Sequence, residues 1–168
     1  KTYLPNYGEF YEARQFTSGM AMPEETTLMD GTQTYIGCNQ LFTCKEIPSL
    51  VVGVEICEDL WTPNPPSVGH AMAGANVIVN LSASDEVTGK NSYRKDLVSS
   101  QSARLYCGYI YASAGDGEST QDLVYSGHNI IAEAGNVLAE SKCFTNEITA
   151  TELDIQRLNA KRRAMSTF

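Results

Sequence analysis

The chain has 168 residues, of which 42% are apolar and 19% are charged, and its formal net charge is −8. This composition is typical of a globular protein and excludes a disordered tail, and the length predicts one domain with a sizeable core. We expect no transmembrane helix, because no run of 18 apolar residues occurs, and no signal peptide. The acidic balance argues against a nucleic-acid binder, which needs a basic face.

The cysteine pattern favours the reducing cytoplasm. There are five cysteines, at positions 38, 44, 57, 107 and 143, with no C-x-x-C pair. An odd number without a secretory signal predicts reduced thiols rather than a disulfide framework. A metal site is not expected, because the zinc-ligand spacing is missing and only His70 and His128 are available. We interpret four of the cysteines as small buried hydrophobic residues and treat Cys57 separately.

The first half of the chain predicts alternating strands and helices after an irregular start. Residues 1–34 lack a clear period, apart from a helical turn at 12–16. Strands are predicted at 41–44, 50–57 and 76–81, and helices from the prolines at 65 and 66 through Ala73 and over 92–107. Gly108 is expected to cap the second helix, and 109–113 to form a third buried strand.

The last third of the chain is predicted to be rich in strands. We expect strands at 123–125, 129–133, 137–141 and 147–153, with a hairpin turning at 134–136. Asp154 is positioned to cap a final basic helix. The order of elements predicts an α/β layered domain, and the additional strands favour a mixed sandwich over a doubly wound sheet.

Cys57 is the best candidate for chemistry. It lies where a predicted buried strand ends, which is where α/β folds place reactive groups. A nucleophilic thiol there needs a base and a cation from elsewhere in the chain. A Cys–His pair with His70 or His128 is the weaker interpretation, because Ile56 and Glu58 do not form the small-residue elbow expected around such a cysteine.

Three segments resemble the nitrilase, or carbon–nitrogen hydrolase, superfamily. They are residues 1–12, residues 113–128 and the motif Gly53-x-x-Ile56-Cys57-Glu58-Asp59. More narrowly, they are similar to the glutaminase domains of glutamine-dependent NAD⁺ synthetases. The resemblance implies an α-β-β-α sandwich, here incomplete because its N-terminal strands are missing, and a Glu-Lys-Cys triad.

The resemblance also implies roles for individual residues. Cys57 would attack the glutamine side-chain amide, and Lys1 would stabilise the thiolate and the oxyanion. The backbone N–H of Glu58 would be the second oxyanion donor, and Glu9 would hold Lys1 and orient the substrate. The glutamine pocket would be lined by Tyr7, Glu58, Trp61 and Ser84.

The remaining parts of the family's machinery are expected outside residues 1–168. The chain starts without Met, and the general-base glutamate would come from an earlier strand, so we expect this piece alone to hydrolyse glutamine only in traces. Residues 1–153 would be the glutaminase domain, and 154–168 would lead toward a synthetase domain of the same polypeptide. We expect no cofactor in this chain, ATP and Mg²⁺ in that other domain, and a homo-oligomer.

Two other functions remain open from the sequence. One is a stand-alone amidase or carbamoylase of the same superfamily, and the other is a non-catalytic scaffold that docks a synthetase domain. Trp61 and the segment 117–120 favour the glutaminase.

Overall fold

A two-stranded sheet and a six-stranded mixed sheet form the β structure in the computed structural model, which describes residues 1–21, 24–118 and 121–168. The small sheet pairs β1 (Glu24–Thr27) with β2 (Gln33–Ile36). The large sheet contains, in spatial as well as chain order, β3 (Leu41–Thr43), β4 (Val51–Ile56), β5 (Val77–Ser82), β6 (Gly108–Ser113), β7 (Ile130–Glu133) and β8 (Asn136–Glu140). Its three central strands, β4 to β6, are parallel, and the outer strands are antiparallel.

Two helices make the crossovers between the parallel strands, as the sequence predicted. They are α1 (Pro66–Met72), between β4 and β5, and α2 (Lys90–Leu105), between β5 and β6. A third helix, α3 (Ile155–Ala164), follows the last strand, and Asp154 caps it as predicted by accepting a hydrogen bond from Arg157 N at 2.8 Å. The α/β prediction is confirmed.

The two faces of the large sheet differ in how far other elements bury them. On one face Ile78, Tyr109 and Tyr111 are fully buried beside the helices. On the other face Ile56 and Leu81, which are register partners, are 36% and 56% exposed. The residues described here therefore pack helices against one face of the sheet and leave apolar side chains of the other face open.

The predicted hairpin is confirmed. β7 and β8 pair antiparallel, and the turn is made by Ala134 (φ 46°) and Gly135 (φ 93°). A two-residue turn of this type requires a positive φ at both positions, because only then does its twist match that of the strands. The turn lies within the predicted range, and Asn136 already belongs to β8.

The prediction of an irregular segment over 1–34 was wrong for its second half. The pair β1–β2 was missed, although Asp30-Gly31 between β-branched and aromatic residues is a hairpin signal. Gly31 has a φ of 85° and donates to Leu28 O at 2.9 Å, which closes the turn. The helical turn is confirmed as a 3₁₀ helix over Glu12–Arg14.

Gly108 does not cap α2. Tyr106 takes the left-handed conformation at the end of the helix, with a φ of 43°, and Gly108 is the first residue of β6. A Cβ at Gly108 would lie 2.6 Å from Leu153 Cδ1, so this glycine provides room for a packed leucine.

Two predicted strands are absent from the described part of the chain. Residues 123–125 contribute only an isolated bridge between Tyr125 and Asp85. Residues 147–153 have no regular structure; the Glu147 carboxylate accepts from Lys142 N at 2.8 Å, and Leu153 packs on Gly108. Side-chain contacts at both ends of this segment take the place of strand pairing.

Candidate active site

Cys57 forms a sharp elbow at the carboxyl end of β4. Its φ of 52° lies in the left-handed region, which is uncommon for any residue with a Cβ, and a 3₁₀ helix over Cys57–Trp61 follows at once. Burial is partial, so the thiol stays accessible. This change from strand to helix places Cys57 at the border of two cavities.

The Asp59 carboxylate ties the N-terminal segment to this elbow. It accepts hydrogen bonds from Thr2 N at 3.1 Å, from Tyr3 N at 2.8 Å and from Ile56 N at 2.9 Å. Asp59 is 1% exposed, so these contacts are shielded from water. These hydrogen bonds bring Lys1, at the start of the chain, to the same cavity as Cys57. Asp59 was quoted in the cysteine motif, but no role was predicted for it.

The first cavity, which we call the lysine cavity, has a volume of about 620 Å³. Its lining includes Cys57, Lys1 and the carboxylates Glu12 and Glu118. The Lys1 ammonium is mostly buried and donates to both oxygens of Glu12, at 2.7 and 2.6 Å. A cation is thus fixed in the space beside the thiol.

The expectation that Glu9 holds Lys1 was wrong in this structure. Glu12 does so, because its N–H donates to Pro5 O at 3.1 Å and folds the 3₁₀ helix back toward the start of the chain. Glu9 lies on the wall of the second cavity instead. No periodic pattern in this segment of the sequence predicts which of the two glutamates contacts Lys1.

The second cavity, which we call the tryptophan cavity, has a volume of about 530 Å³ and also includes Cys57. It brings together the residues predicted to line the glutamine pocket, Tyr7, Glu58, Trp61 and Ser84, and it also includes Glu9. The part of the predicted segment at positions 119 and 120 lies outside the described residues.

Charge in the tryptophan cavity is mixed. The Tyr7 hydroxyl donates to Glu58 at 2.7 Å, and desolvation together with this carboxylate raises the pKa of Tyr7, so the phenol stays a neutral donor. Lys90 forms an ion pair with Asp85, and its ammonium lies 5.2 Å from the centre of the Trp61 ring. Lys90 and Asp85 were not predicted; a charged pair flanking the loop after β5 was the available signal.

Neither histidine lines either cavity. His128 is buried between Arg94 and Glu140, at 3.0 Å from each, and His70 bonds Cys38 O at 3.1 Å. Burial lowers the pKa of His70. These positions are structural, and they do not support a Cys–His pair at Cys57.

The other four cysteines are also free thiols. Cys107 is buried, and desolvation raises its pKa to about 12. Cys38, Cys44 and Cys143 are only half-buried, so the interpretation as buried hydrophobic residues holds for Cys107 alone. In the parts of the chain that the structure describes, no three His, Cys, Asp or Glu side chains are grouped to hold a metal, and no helix has the length and apolar character to span a membrane.

The sequence matches a known protein family over almost the whole chain. The family model for carbon-nitrogen hydrolases matches residues 2–163. The chain therefore belongs to the carbon–nitrogen hydrolase family and has the nitrilase fold. A carbon-nitrogen hydrolase from Helicobacter pylori shares that fold, with a TM-score of 0.68 over 98% of this chain and 54% of its own, at 18% identity.

Within the family, the chain is similar to glutamine-dependent NAD(+) synthetases. The synthetase of Mycobacterium bovis is 42% identical over the whole chain, which corresponds to 25% of that protein. The crystal structure of the Cytophaga hutchinsonii synthetase superposes with a TM-score of 0.75 at 30% identity, over 89% of this chain and 24% of that one. The chain thus spans about a quarter of the length of these relatives.

Proposed function

We propose that this chain is the glutamine-hydrolysing part of a glutamine-dependent NAD⁺ synthetase, with Cys57 as the nucleophile. The observation that carries the proposal is the position of Cys57 between a cavity with a fixed cation and a cavity with mixed charge. The similarity over the whole chain to synthetases that use glutamine supports the choice of substrate.

The lysine cavity suits the acyl-transfer step. In the proposal the Cys57 sulfur attacks the carboxamide carbon, and the oxygen takes up negative charge opposite the Lys1 ammonium and the backbone N–H of Glu58. A preorganised donor of this kind contributes roughly 3 to 4 kcal/mol in the transition state. The C–N bond then breaks as the nitrogen accepts a proton, which leaves ammonia and a thioester.

A second carboxylate must move the protons. Both oxygens of Glu12 are bonded to Lys1 and serve to hold it, so we assign Glu12 no proton transfer. Following the family resemblance, we propose that the general base is a glutamate outside residues 1–168. It would take the thiol proton, give it to the leaving ammonia, and activate the water that releases glutamate and restores the thiol.

The tryptophan cavity suits a free amino acid. Glutamine carries an ammonium and a carboxylate at the end remote from its amide. Glu58 and Glu9 supply negative charge for the ammonium, and Lys90, which pairs with Asp85 here, would bind the carboxylate in exchange for that partner. Ser84, Tyr7 and the Trp61 ring complete the wall, so recognition of both charged groups would select glutamine over simple amides.

The rest of the reaction is assigned to other parts of the polypeptide. In this proposal a synthetase domain uses the ammonia together with ATP and Mg²⁺, and α3 leads toward that domain. The five free thiols support a cytoplasmic location, and assembly into a homo-oligomer follows from the family resemblance.

The test compares substitutions in the full-length natural protein by measuring ammonia and glutamate release. We expect Cys57→Ser to abolish both products and the matched control Cys38→Ser to leave them unchanged. A primary amide without the amino-acid end should be a poor substrate. Equal rates with such an amide would favour a stand-alone amidase, and an active Cys57→Ser variant would refute the assignment.

The oxyanion role of Lys1 has its own test. We expect Lys1→Met to lower kcat about 10²- to 10³-fold, the loss typical for one oxyanion donor. The control is Lys45→Met, which removes an exposed lysine that lines neither cavity. Equal kcat values for the two variants would contradict the role.

A further inference from the structure

Asn80 lies directly beneath the Cys57 elbow and bonds its backbone. The Cys57 N–H donates to Asn80 Oδ1 at 3.0 Å, and Asn80 Nδ2 makes a longer contact of 3.5 Å with Cys57 O. The Asn80 side chain is on β5, in the middle of the apolar run 77–81, and it is 1% exposed. A buried amide in such a run is costly unless its polar atoms are bonded.

Further hydrogen bonds fix the orientation of this amide. Ser82 Oγ donates to Asn80 Oδ1 at 2.9 Å, and Asn80 Nδ2 donates to the Tyr109 hydroxyl oxygen at 3.3 Å. Tyr109 in turn donates its own proton to Glu55. Because the Tyr109 proton is directed at Glu55, its oxygen can only accept from Asn80, and Oδ1 must therefore face the Cys57 N–H.

The elbow needs such a support. A residue with a Cβ pays roughly 1 to 3 kcal/mol for a left-handed conformation and keeps it only where surrounding contacts impose it. Asn80 contacts the two peptide groups that flank the Cys57 Cα, so it acts on the φ and ψ of that residue.

We infer that Asn80 is a positioning residue, which holds Cys57 in the left-handed conformation and so aims its thiol at the border of the two cavities, with Tyr109 and Glu55 fixing the amide. This inference rests on the proposed role of Cys57 as nucleophile. Asn80 does not line either cavity, so it acts through the groups it bonds, which are the Cys57 backbone and the Ser82 side chain on the wall of the lysine cavity.

The chain offers a matched control at Asn76. This asparagine precedes β5, is also 1% exposed, and also bonds backbone groups, since it accepts from Val51 N at 3.1 Å and donates to Ser49 O at 2.6 Å. It has no contact with Cys57. Replacing Asn76 thus imposes a similar loss of buried hydrogen bonds at the opposite end of the same strand.

The experiment measures kcat, KM and Cys57 alkylation by iodoacetamide in the full-length protein, each normalised to the folded fraction. We expect Asn80→Ala to lower kcat on the order of 10²-fold, as for a reacting group displaced by about 1 Å, and to leave KM for glutamine within about 2-fold. Tyr109→Phe, which keeps the ring and removes only the hydroxyl, should lower kcat about 2- to 12-fold, the effect of one hydrogen bond.

Asn76→Ala is the control, and it should reduce stability but leave kcat of the folded enzyme unchanged.

The alkylation rate separates this inference from the proposed function. Slower Cys57 alkylation in Asn80→Ala and Tyr109→Phe, but not in Asn76→Ala, would support positioning whatever the substrate is. If Cys57→Ser is inactive while Asn80→Ala and Tyr109→Phe keep wild-type kcat and alkylation rate, the inference is overturned and the nucleophile assignment stands. If Cys57→Ser stays active, the proposed function fails, and alkylation still decides the role of Asn80.

Discussion

Cys57 and Ala134 share an uncommon backbone conformation for different reasons. Both carry a Cβ at positive φ, 52° and 46°. At Ala134 the chain itself imposes the conformation, because the type of two-residue turn that joins β7 and β8 has a positive φ at both positions. At Cys57 the next strand does not follow directly, and the conformation is supported by Asn80, which is 23 residues away in sequence.

The two strained residues differ in the contacts that support them and in what those contacts achieve. The conformation of Ala134 is set by the hairpin itself, although the turn also bonds remote groups: the Ala134 N–H donates to Cys107 O at 3.1 Å, and the side chains of Ser99 and Ser102 bond Gly135. The Cys57 elbow depends on side chains from β5, from the following 3₁₀ helix and, through Tyr109, from β6. A strained residue held by remote side chains can aim a reactive group, whereas a hairpin turn only reverses the chain.

The largest expected effect is the complete loss of activity when Cys57 is replaced by glycine or by alanine. Both variants should lose glutamine hydrolysis, but Cys57→Gly should be more stable than Cys57→Ala. Glycine relieves about 1–2 kcal/mol of left-handed strain, but its greater freedom in the unfolded chain costs about 0.4–1 kcal/mol. The glycine variant should therefore be more stable than the alanine variant by roughly 0.5–1 kcal/mol. Denaturant unfolding measures the difference, and a less stable glycine variant would mean that the elbow is not strained.

The Asp59 tether should give the next largest effect. Asp59→Asn leaves one acceptor oxygen for the N–H groups of Thr2, Tyr3 and Ile56, so we expect a loss of about 1.5–3 kcal/mol in the free energy of unfolding and a lower kcat. Asp30→Asn is the control, because Asp30 is exposed and accepts from Thr32 within its own turn, at 2.9 Å from the backbone N. Similar losses for both variants would argue against a special role of the elbow tether.

A smaller effect is expected at the hairpin. Ala134→Gly relieves the same left-handed conformation and should raise the free energy of unfolding by roughly 0.5–1 kcal/mol, again the difference between strain relief and unfolded-state entropy. Glutamine hydrolysis should not change, because Ala134 lines neither cavity. A drop in kcat would show that the turn is coupled to the site after all.

The smallest effect concerns pH. Burial raises the pKa of Glu55 above its usual 4.5, against opposing hydrogen bonds from Tyr109 and Ser67. A carboxyl group with a raised folded pKa contributes most stability below its unfolded pKa, and this contribution is lost as pH rises through the folded pKa. Glu55→Gln should therefore weaken the decline of stability above pH 4.5, as measured by unfolding at a series of pH values.

The opposite sign is expected for Glu86. Burial alone would raise the pKa of this carboxyl, but hydrogen bonds from Ser126 and Arg94 outweigh it and lower the pKa. Its contribution is present above the unfolded pKa and is lost as pH falls through the folded value. Glu86→Gln should therefore weaken the loss of stability as pH falls. If Glu86→Gln instead weakened the loss of stability as pH rises, as expected for Glu55→Gln, the result would contradict the account.

The sequence predicted local features better than remote contacts. The hairpin at 134–136, both crossover helices and the Asp154 cap follow from turn, period and capping signals within a few residues, and all are confirmed. The partner of Lys1 was assigned to Glu9 rather than Glu12, because the choice depends on a fold-back that no periodicity marks. Asn80 was treated as part of a buried strand, although a polar residue in an apolar run was the available signal for its role.

The most direct test of the account is to react the full-length protein with an electrophilic glutamine analogue and to map the adduct by mass spectrometry. The account predicts one adduct per chain on Cys57, prevented by excess glutamine and slowed in Asn80→Ala. Labelling of Cys38, Cys44 or Cys143 in place of Cys57 would contradict it.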